Sequence, residues 1–388
     1  MSSPSSPALQ RLHRLDTTSP NFGDQLCDVL YGQEYQQCVP NLQDHDPLWL
    51  VDYLDKVLDG LDPSSLASRK CLRELRNVCG NRGILPTSYT LSADFLDIGS
   101  YPLDSGGYGD VYLGVLGGSN VSVKRVRMYV AEGPQKVTKT FCKEAVMWKR
   151  LKHPNIVPLL GVTITPLQLI STWMPGGNLP EYIRTHPNAD RLAFLREATR
   201  GLIYMHDKGV VHGDIKGANI MIDKDGHAHL AEFSLITLIS DQSTFVSSCI
   251  ESGTLPWMSP ELLDPERFGL KKRRPTRESD CYALGMVIYE ILSGQVPFAT
   301  YGPFGILTKV LRGEHPKRPQ GERGKLLTDG IWEIVELCWK RKPGDRASAK
   351  DVLRCLGGAS LSSRPSLDVD GEVESDSDDQ SDATSSDS

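Results

Sequence analysis

The chain has 388 residues, 39% hydrophobic and 24% charged, a composition that excludes wholesale disorder, a collagen-like repeat and a bundle of membrane spans. The length suits two or three domains, or one large bilobal one. The net charge of -6 is segregated: residues 365–388 carry nine acids and no Lys or Arg, and removing them leaves +3 on residues 1–364.

Nine cysteines form no C-x-x-C pair, so a buried thiol in a reducing compartment is the expectation for each. The first ten residues are rich in Ser and Pro, without the basic start and apolar run of a secretory signal. No apolar run approaches about 18 residues, so no membrane span is expected. Cytoplasm or nucleus is the expected compartment, and no nucleic-acid partner is expected.

Residues 1–45 are polar with scattered Pro and Ser, and are expected to be disordered or linker. A helical extension is expected over 46–90. Leu50, Leu54, Val57, Leu58 and Leu61 make one amphipathic stripe. Asp62-Pro63 reads as the start of a second helix, carrying Leu72, Leu75, Val78 and Cys79 and ending at Gly80. Such a hairpin is too short to bury its own stripe. It is expected to pack on the next domain as a structural extension; the alternative is a docking or regulatory module. From 96 a strand-rich stretch gives way, after about 176, to helical periods, so an α+β arrangement of two lobes is expected. Residues 360–388 are expected to be a disordered acidic tail.

Gly106, Gly107 and Gly109 sit between two β-like runs that begin at Leu103 and Val111, where bare backbone could approach phosphate groups. Lys124 follows on an alternating strand. Glu144 lies on a helix, facing back toward it. The segment His212-Gly213-Asp214-Ile215-Lys216-Gly217-Ala218-Asn219 sets a carboxylate, a cation and a hard oxygen ligand on one tight loop. Phosphoryl transfer needs that set. Ala231-Glu232-Phe233-Ser234, residues 253–261, Asp280 and Arg346 follow in order.

In this order the motifs resemble those of eukaryotic protein kinases of the serine/threonine type, nearest the tyrosine-kinase-like group expanded in fungi, across residues 96–356. The resemblance implies a bilobal kinase fold, ATP and Mg²⁺ as cofactors, and a protein Ser or Thr as acceptor. It implies that Leu103, Gly106, Gly107 and Gly109 cover the nucleotide and that Lys124 holds its α/β-phosphates, oriented by Glu144. Thr172 and Met174 would form the adenine hinge beside Ser171, with Val111, Ser122 and Met221 against the base. Asp214 would be the base or the positioner of the hydroxyl, Lys216 would meet the γ-phosphate, and Asn219 and Glu232 would hold metal. Glu261 would pair with Arg346, and Asp280 would brace the loop. Aminoglycoside- and choline-kinase-like phosphotransferases share His-Gly-Asp with a later Asn, but lack the 253–261 segment and the Asp280 helix.

Several departures bear on function. Asp104 replaces the first loop glycine, and Gly213 replaces an Arg that would receive a phosphorylated activation loop. Glu232-Phe233-Ser234 replaces Asp-Phe-Gly, placing the carboxylate one methylene further out. Mg²⁺ demands near-octahedral geometry at about 2.0–2.1 Å, so the alternative function is a pseudokinase acting as a nucleotide-binding or scaffolding module. The basic run Lys271-Lys272-Arg273-Arg274 is a candidate import patch or dock for the acidic tail. A regulatory partner is expected at the helical extension or the tail.

Overall fold

A computed structural model describes residues 4–43, 45–92, 96–106, 109–127, 133–232, 249–250 and 253–358. Phe233, Ser234, Gly107 and the acidic tail lie outside the described residues.

Five helices precede the first strand: α1 (Pro7–His13), α2 (Phe22–Leu30), α3 (Gln33–Cys38), α4 (Asp46–Gly60) and α5 (Leu66–Arg82). The first three lie where disorder was expected. Each is short, and an isolated helix of under about 12 residues is marginal in water. Here Leu9, Leu12, Leu26, Leu30 and Tyr35 are buried in one core with Leu50, Leu54 and Leu75 of α4 and α5. Ser5 fixes the start of the chain through Asp46, its amide donating at 2.9 Å and its hydroxyl at 2.6 Å.

Helix α5 differs at both ends from the sequence reading. Its cap is Ser65, whose hydroxyl accepts the Ser68 amide at 3.1 Å, because Asp62 is spent on the Ser64 amide and hydroxyl. The helix runs through Gly80 and stops at Gly83, which takes the left-handed φ of 67°. Gly80 instead serves packing. A Cβ there would lie 2.1–2.8 Å from the Lys143 side chain of the neighbouring helix.

Strands β1 (Leu96–Ile98), β2 (Asp104–Gly106), β3 (Gly109–Leu116), β4 (Ser119–Val126), β5 (Leu159–Ile164) and β6 (Leu167–Thr172) form an antiparallel sheet ordered β1-β3-β4-β6-β5, with β2 on β3. Helix α6 (Pro134–Arg150) crosses between β4 and β5 and lies between the sheet and α5. A second, helical lobe begins with β7 (Gly177–Asn178), α7 (Leu179–Thr185) and α8 (Arg191–Asp207), then β8 (Ile220–Ile222) and β9 (Ala228–Leu230). It continues through α9 (Pro260–Leu263), α10 (Arg277–Ser293), α11 (Pro303–Arg312), α12 (Asp329–Cys338) and α13 (Ala349–Leu356). Helix α10 is buried along nearly its whole length, as the central post of the lobe. Its first turn is closed by a capping box between Thr276 and Ser279. No helix among the described residues is long and apolar enough to cross a membrane.

Candidate active site

The two lobes meet where β9 pairs with the segment before β5. The Val157 amide donates to Leu230 and the Leu230 amide to Asn155, each at 2.9 Å. Residues 212–219 form a loop that enters β8 at this junction. Its shape is set from below by Asp280, on α10. One carboxylate oxygen accepts the His212 amide, the other the Gly213 amide, both at 2.8 Å. His206 meets the same carboxylate at 2.9 Å. Gly213 has φ 81°, a conformation glycine adopts freely, so the residue standing where Arg was anticipated also relieves the backbone. Burial holds His212 below the usual histidine value. The neutral ring fits its bonds, Nε2–H to the Ala231 carbonyl at 3.1 Å and Nδ1 accepting the Asp214 amide at 3.2 Å.

On this braced loop Asp214 is buried. Its Oδ2 accepts from the Asn219 amide nitrogen at 2.8 Å and lies 3.4 Å from the Lys216 ammonium. Among the described residues its buried Oδ1 has no hydrogen-bond partner. Leaving a buried carboxylate oxygen unsatisfied costs about 1–3 kcal/mol, so water, a ligand or a catalytic role is the explanation to look for. Asn219 donates a second time to the Asp214 carbonyl at 2.7 Å, so its side-chain nitrogen is spent on Asp214. Lys216 also donates to Thr254 Oγ1 at 3.0 Å, tying the loop to the segment that leads into α9.

Above the loop, Lys124 sits on β4 opposite Val111, and Ser122 sits opposite Ser171. Val111 and Met221 are half-buried. At the hinge the Thr172 amide is spent on the Pro158 carbonyl at 3.2 Å, while the Met174 carbonyl accepts from Gly177 at 3.1 Å. The Met174 amide has no backbone acceptor among the described residues. Gly106 pairs with Gly109 where β2 turns into β3, and a Cβ on Gly109 would lie 2.3 Å from the Arg125 carbonyl. Leu103 is 61% exposed, and its amide donates to the Val111 carbonyl at 2.8 Å. Asp104 accepts from the Ser105 amide at 2.8 Å.

One expected contact is replaced by two others. Lys124 does not pair with Glu144. Its ammonium lies against the carboxylate of Glu232, and Glu144 lies 3.5 Å from Arg76 on α5. Helix α6 packs along α5, and Glu232 meets Lys124 from the segment that follows β9. Burial pulls the Lys124 ammonium down to about 8, with Asp214 opposing. Glu232 has φ 63°, unusual for a residue with a side chain. Such strain, of order 1–3 kcal/mol, collects at functional sites.

No group of three or more His, Cys, Asp or Glu among the described residues could by itself hold a metal ion. Mg²⁺ bound with a nucleotide needs less: one or two side-chain oxygens, the rest coming from phosphate and water. The Asn219 oxygen and the Glu232 carboxylate fit that need once Glu232 leaves Lys124.

Sequence reasoning did not find Arg76 or Glu290. Glu290 of α10 is buried under the loop, accepting the Trp257 indole N–H at 2.9 Å and the Gly217 amide at 3.1 Å. A lone Glu in the apolar part of the helix was its signal. Arg76 had no local signal, since its partner is 68 residues away.

Comparison with known proteins agrees with this arrangement. The family model described as protein tyrosine and serine/threonine kinase matches residues 100–356. Cytokinesis protein sepH of Emericella nidulans is 29% identical over 276 residues, covering 68% of this chain and 19% of its own. The probable serine/threonine-protein kinase drkA of Dictyostelium discoideum is 29% identical over 265 residues, covering 66% of this chain and 38% of its own. MAP3K epsilon protein kinase 2 of Arabidopsis thaliana is 30% identical over 260 residues, covering 65% and 18%. The chain therefore spans well under half the length of these relatives. With the family's motifs in order on a two-lobed scaffold, the chain belongs to the protein tyrosine and serine/threonine kinase family, its kinase domain being of the serine/threonine type near the tyrosine-kinase-like group.

Proposed function

We propose that the chain transfers the γ-phosphoryl group of ATP, bound with Mg²⁺, to a Ser or Thr hydroxyl of a protein. The observation that carries this reading is the buried Asp214 beside Lys216 and Asn219, its Oδ1 without a hydrogen-bond partner among the described residues. That oxygen would accept the acceptor's hydroxyl hydrogen. As the acceptor oxygen bonds to phosphorus and the bond to the ADP oxygen breaks, Asp214 holds the proton and later releases it to water. Lys216 offsets charge on the transferred group. Lys124 would hold the α/β-phosphates, and Asn219 with Glu232 would hold the metal, which supplies charge neutralisation at the phosphates. No disulfide joins any of the nine cysteines among the described residues, which supports a cytoplasmic or nuclear location.

The Lys124–Glu232 contact favours a second reading, a nucleotide-binding or scaffolding pseudokinase, because it occupies two groups that the nucleotide needs. A paired experiment separates the two. Nucleotide and Mg²⁺ binding are followed by thermal shift, and phosphotransfer is measured for the wild type and Asp214→Asn. Transfer abolished by Asp214→Asn supports the enzyme. Binding without transfer in the wild type supports the scaffold.

A further inference from the structure

Helices α5 and α6 run antiparallel in close contact. Gly80 packs on Lys143, Arg76 reaches Glu144 at 3.5 Å, and Arg69 lines a cavity of about 360 Å³ with Met147 and Arg150. Arg69, Arg73 and Arg76 stand at i, i+4 and i+7, one face of the helix. Arg69 and Arg73 are exposed, and neither has a carboxylate within 4 Å among the described residues. The stripe is therefore a row of cations along the α5–α6 seam, and its last member holds Glu144.

We infer that this stripe is the docking surface for the chain's own acidic tail, residues 368–387, and that docking draws Arg76 off Glu144. Charge and reach support it. The tail brings nine acids and no Lys or Arg. Its root, α13, begins beside the cavity: Lys350 pairs at 2.9 Å with Asp207, which lines the cavity with Arg69. The helix carries the chain about 12 Å away. The ten residues from 358 to 368 extend up to about 33 Å, enough to return. Arg76 is 42% exposed and can turn to a tail carboxylate, while Glu144, 12% exposed, needs a second cation in exchange. Glu144, released, replaces Glu232 on Lys124 and leaves Glu232 to the metal. Arg76 is thus a positioning residue acting through Glu144.

The consequence for nucleotide rests on the kinase reading; the docking does not. The test uses the full chain with four changes: the nine tail acids converted to Asn or Gln, the reversal Arg69→Glu/Arg73→Glu, Arg76→Ala added to the neutralised tail, and the reversal Lys271→Glu/Lys272→Glu/Arg274→Glu. Amide hydrogen exchange over 66–82 and 134–150 reads docking, and MgADP affinity reads its effect. Neutralising the tail or reversing Arg69 and Arg73 is expected to speed exchange along α5 and weaken MgADP about tenfold. Adding Arg76→Ala is expected to restore affinity but not protection. No change in exchange on neutralising the tail overturns the inference, as does the same effect from the reversal at Lys271, Lys272 and Arg274. An unrelated acidic peptide acting where the tail does not would assign the stripe to another partner and overturn it too. Protection altered as expected, with no MgADP binding in any variant, would leave docking standing and overturn the release of Glu144 together with the kinase reading.

Discussion

The Lys124 ammonium lies against the Glu232 carboxylate, joining strand β4 to the end of the segment that follows β9. Each residue holds what the other lacks, and neither is free for a nucleotide while the contact lasts. Glu232 makes the contact with one methylene more than Asp would have, from a left-handed backbone.

Replacing Glu232 with Asp shortens the reach and suits the backbone, since Asp visits the left-handed region more readily. Phosphotransfer is expected to rise by roughly 10- to 100-fold, the scale set by about 1 Å of misplacement in a reacting site. Single-turnover rates at saturating Mg²⁺ measure it. A fall would show that Glu is the better ligand in this chain.

Gly80→Ala sets two effects against each other. In an open helix the change would stabilise by roughly 0.8–1 kcal/mol. Here the new Cβ would meet the Lys143 stem at 2.1–2.8 Å, so α5 and α6 must part or Lys143 must move. Overpacking of this kind costs about 1–3 kcal/mol, and a net loss of stability in urea titration is expected. A gain would mean that Lys143 swings clear.

The order of glycine loop, Lys124, Asp214, Asn219, Glu261 and Arg346 was legible because those residues carry chemistry in short segments at fixed order. The two lobes followed from the change of period near residue 176. The first three helices were legible in part and missed. Phe22, Leu26, Val29 and Leu30 stand at i, i+4, i+7 and i+8, but the stripe is one short window in a polar stretch, and α4 and α5 supply the rest of its core. The pairing of Arg76 with Glu144 was not legible at all. It depends on how closely two helices approach, and Gly80, which sets that distance, reads along the chain as a stop.

Glu290 gives stability a pH dependence. Burial raises its carboxyl to about 7, above the unfolded value near 4.3. The folded state therefore holds this proton more strongly than the unfolded chain. Its contribution is full below about pH 4.3 and is lost as pH rises to about 7, on the order of 3 kcal/mol across the window. Glu290→Gln removes the titration and is expected to flatten stability between about pH 5 and 7, measured by urea midpoints at three pH values. An unchanged slope would place the proton elsewhere.

Arg346 and Glu261 form a buried bidentate pair at 2.6 and 2.7 Å, with side chains 0% and 2% exposed. The guanidinium is further satisfied by the carbonyls of Lys340 at 2.9 Å and Glu278 at 3.0 Å. Glu261→Leu would leave a buried cation with those two carbonyls only, a loss of about 3–5 kcal/mol. In a domain of this size each kcal/mol moves Tm by roughly 2–4 °C, so a fall near 10 °C is expected. Arg346→Met alone leaves a buried carboxylate and should cost a similar amount. The double variant Glu261→Leu/Arg346→Met buries neither charge, and is expected to unfold at a higher temperature than either single one. Additive losses would show that the pair contributes through separate contacts on each side rather than through mutual neutralisation.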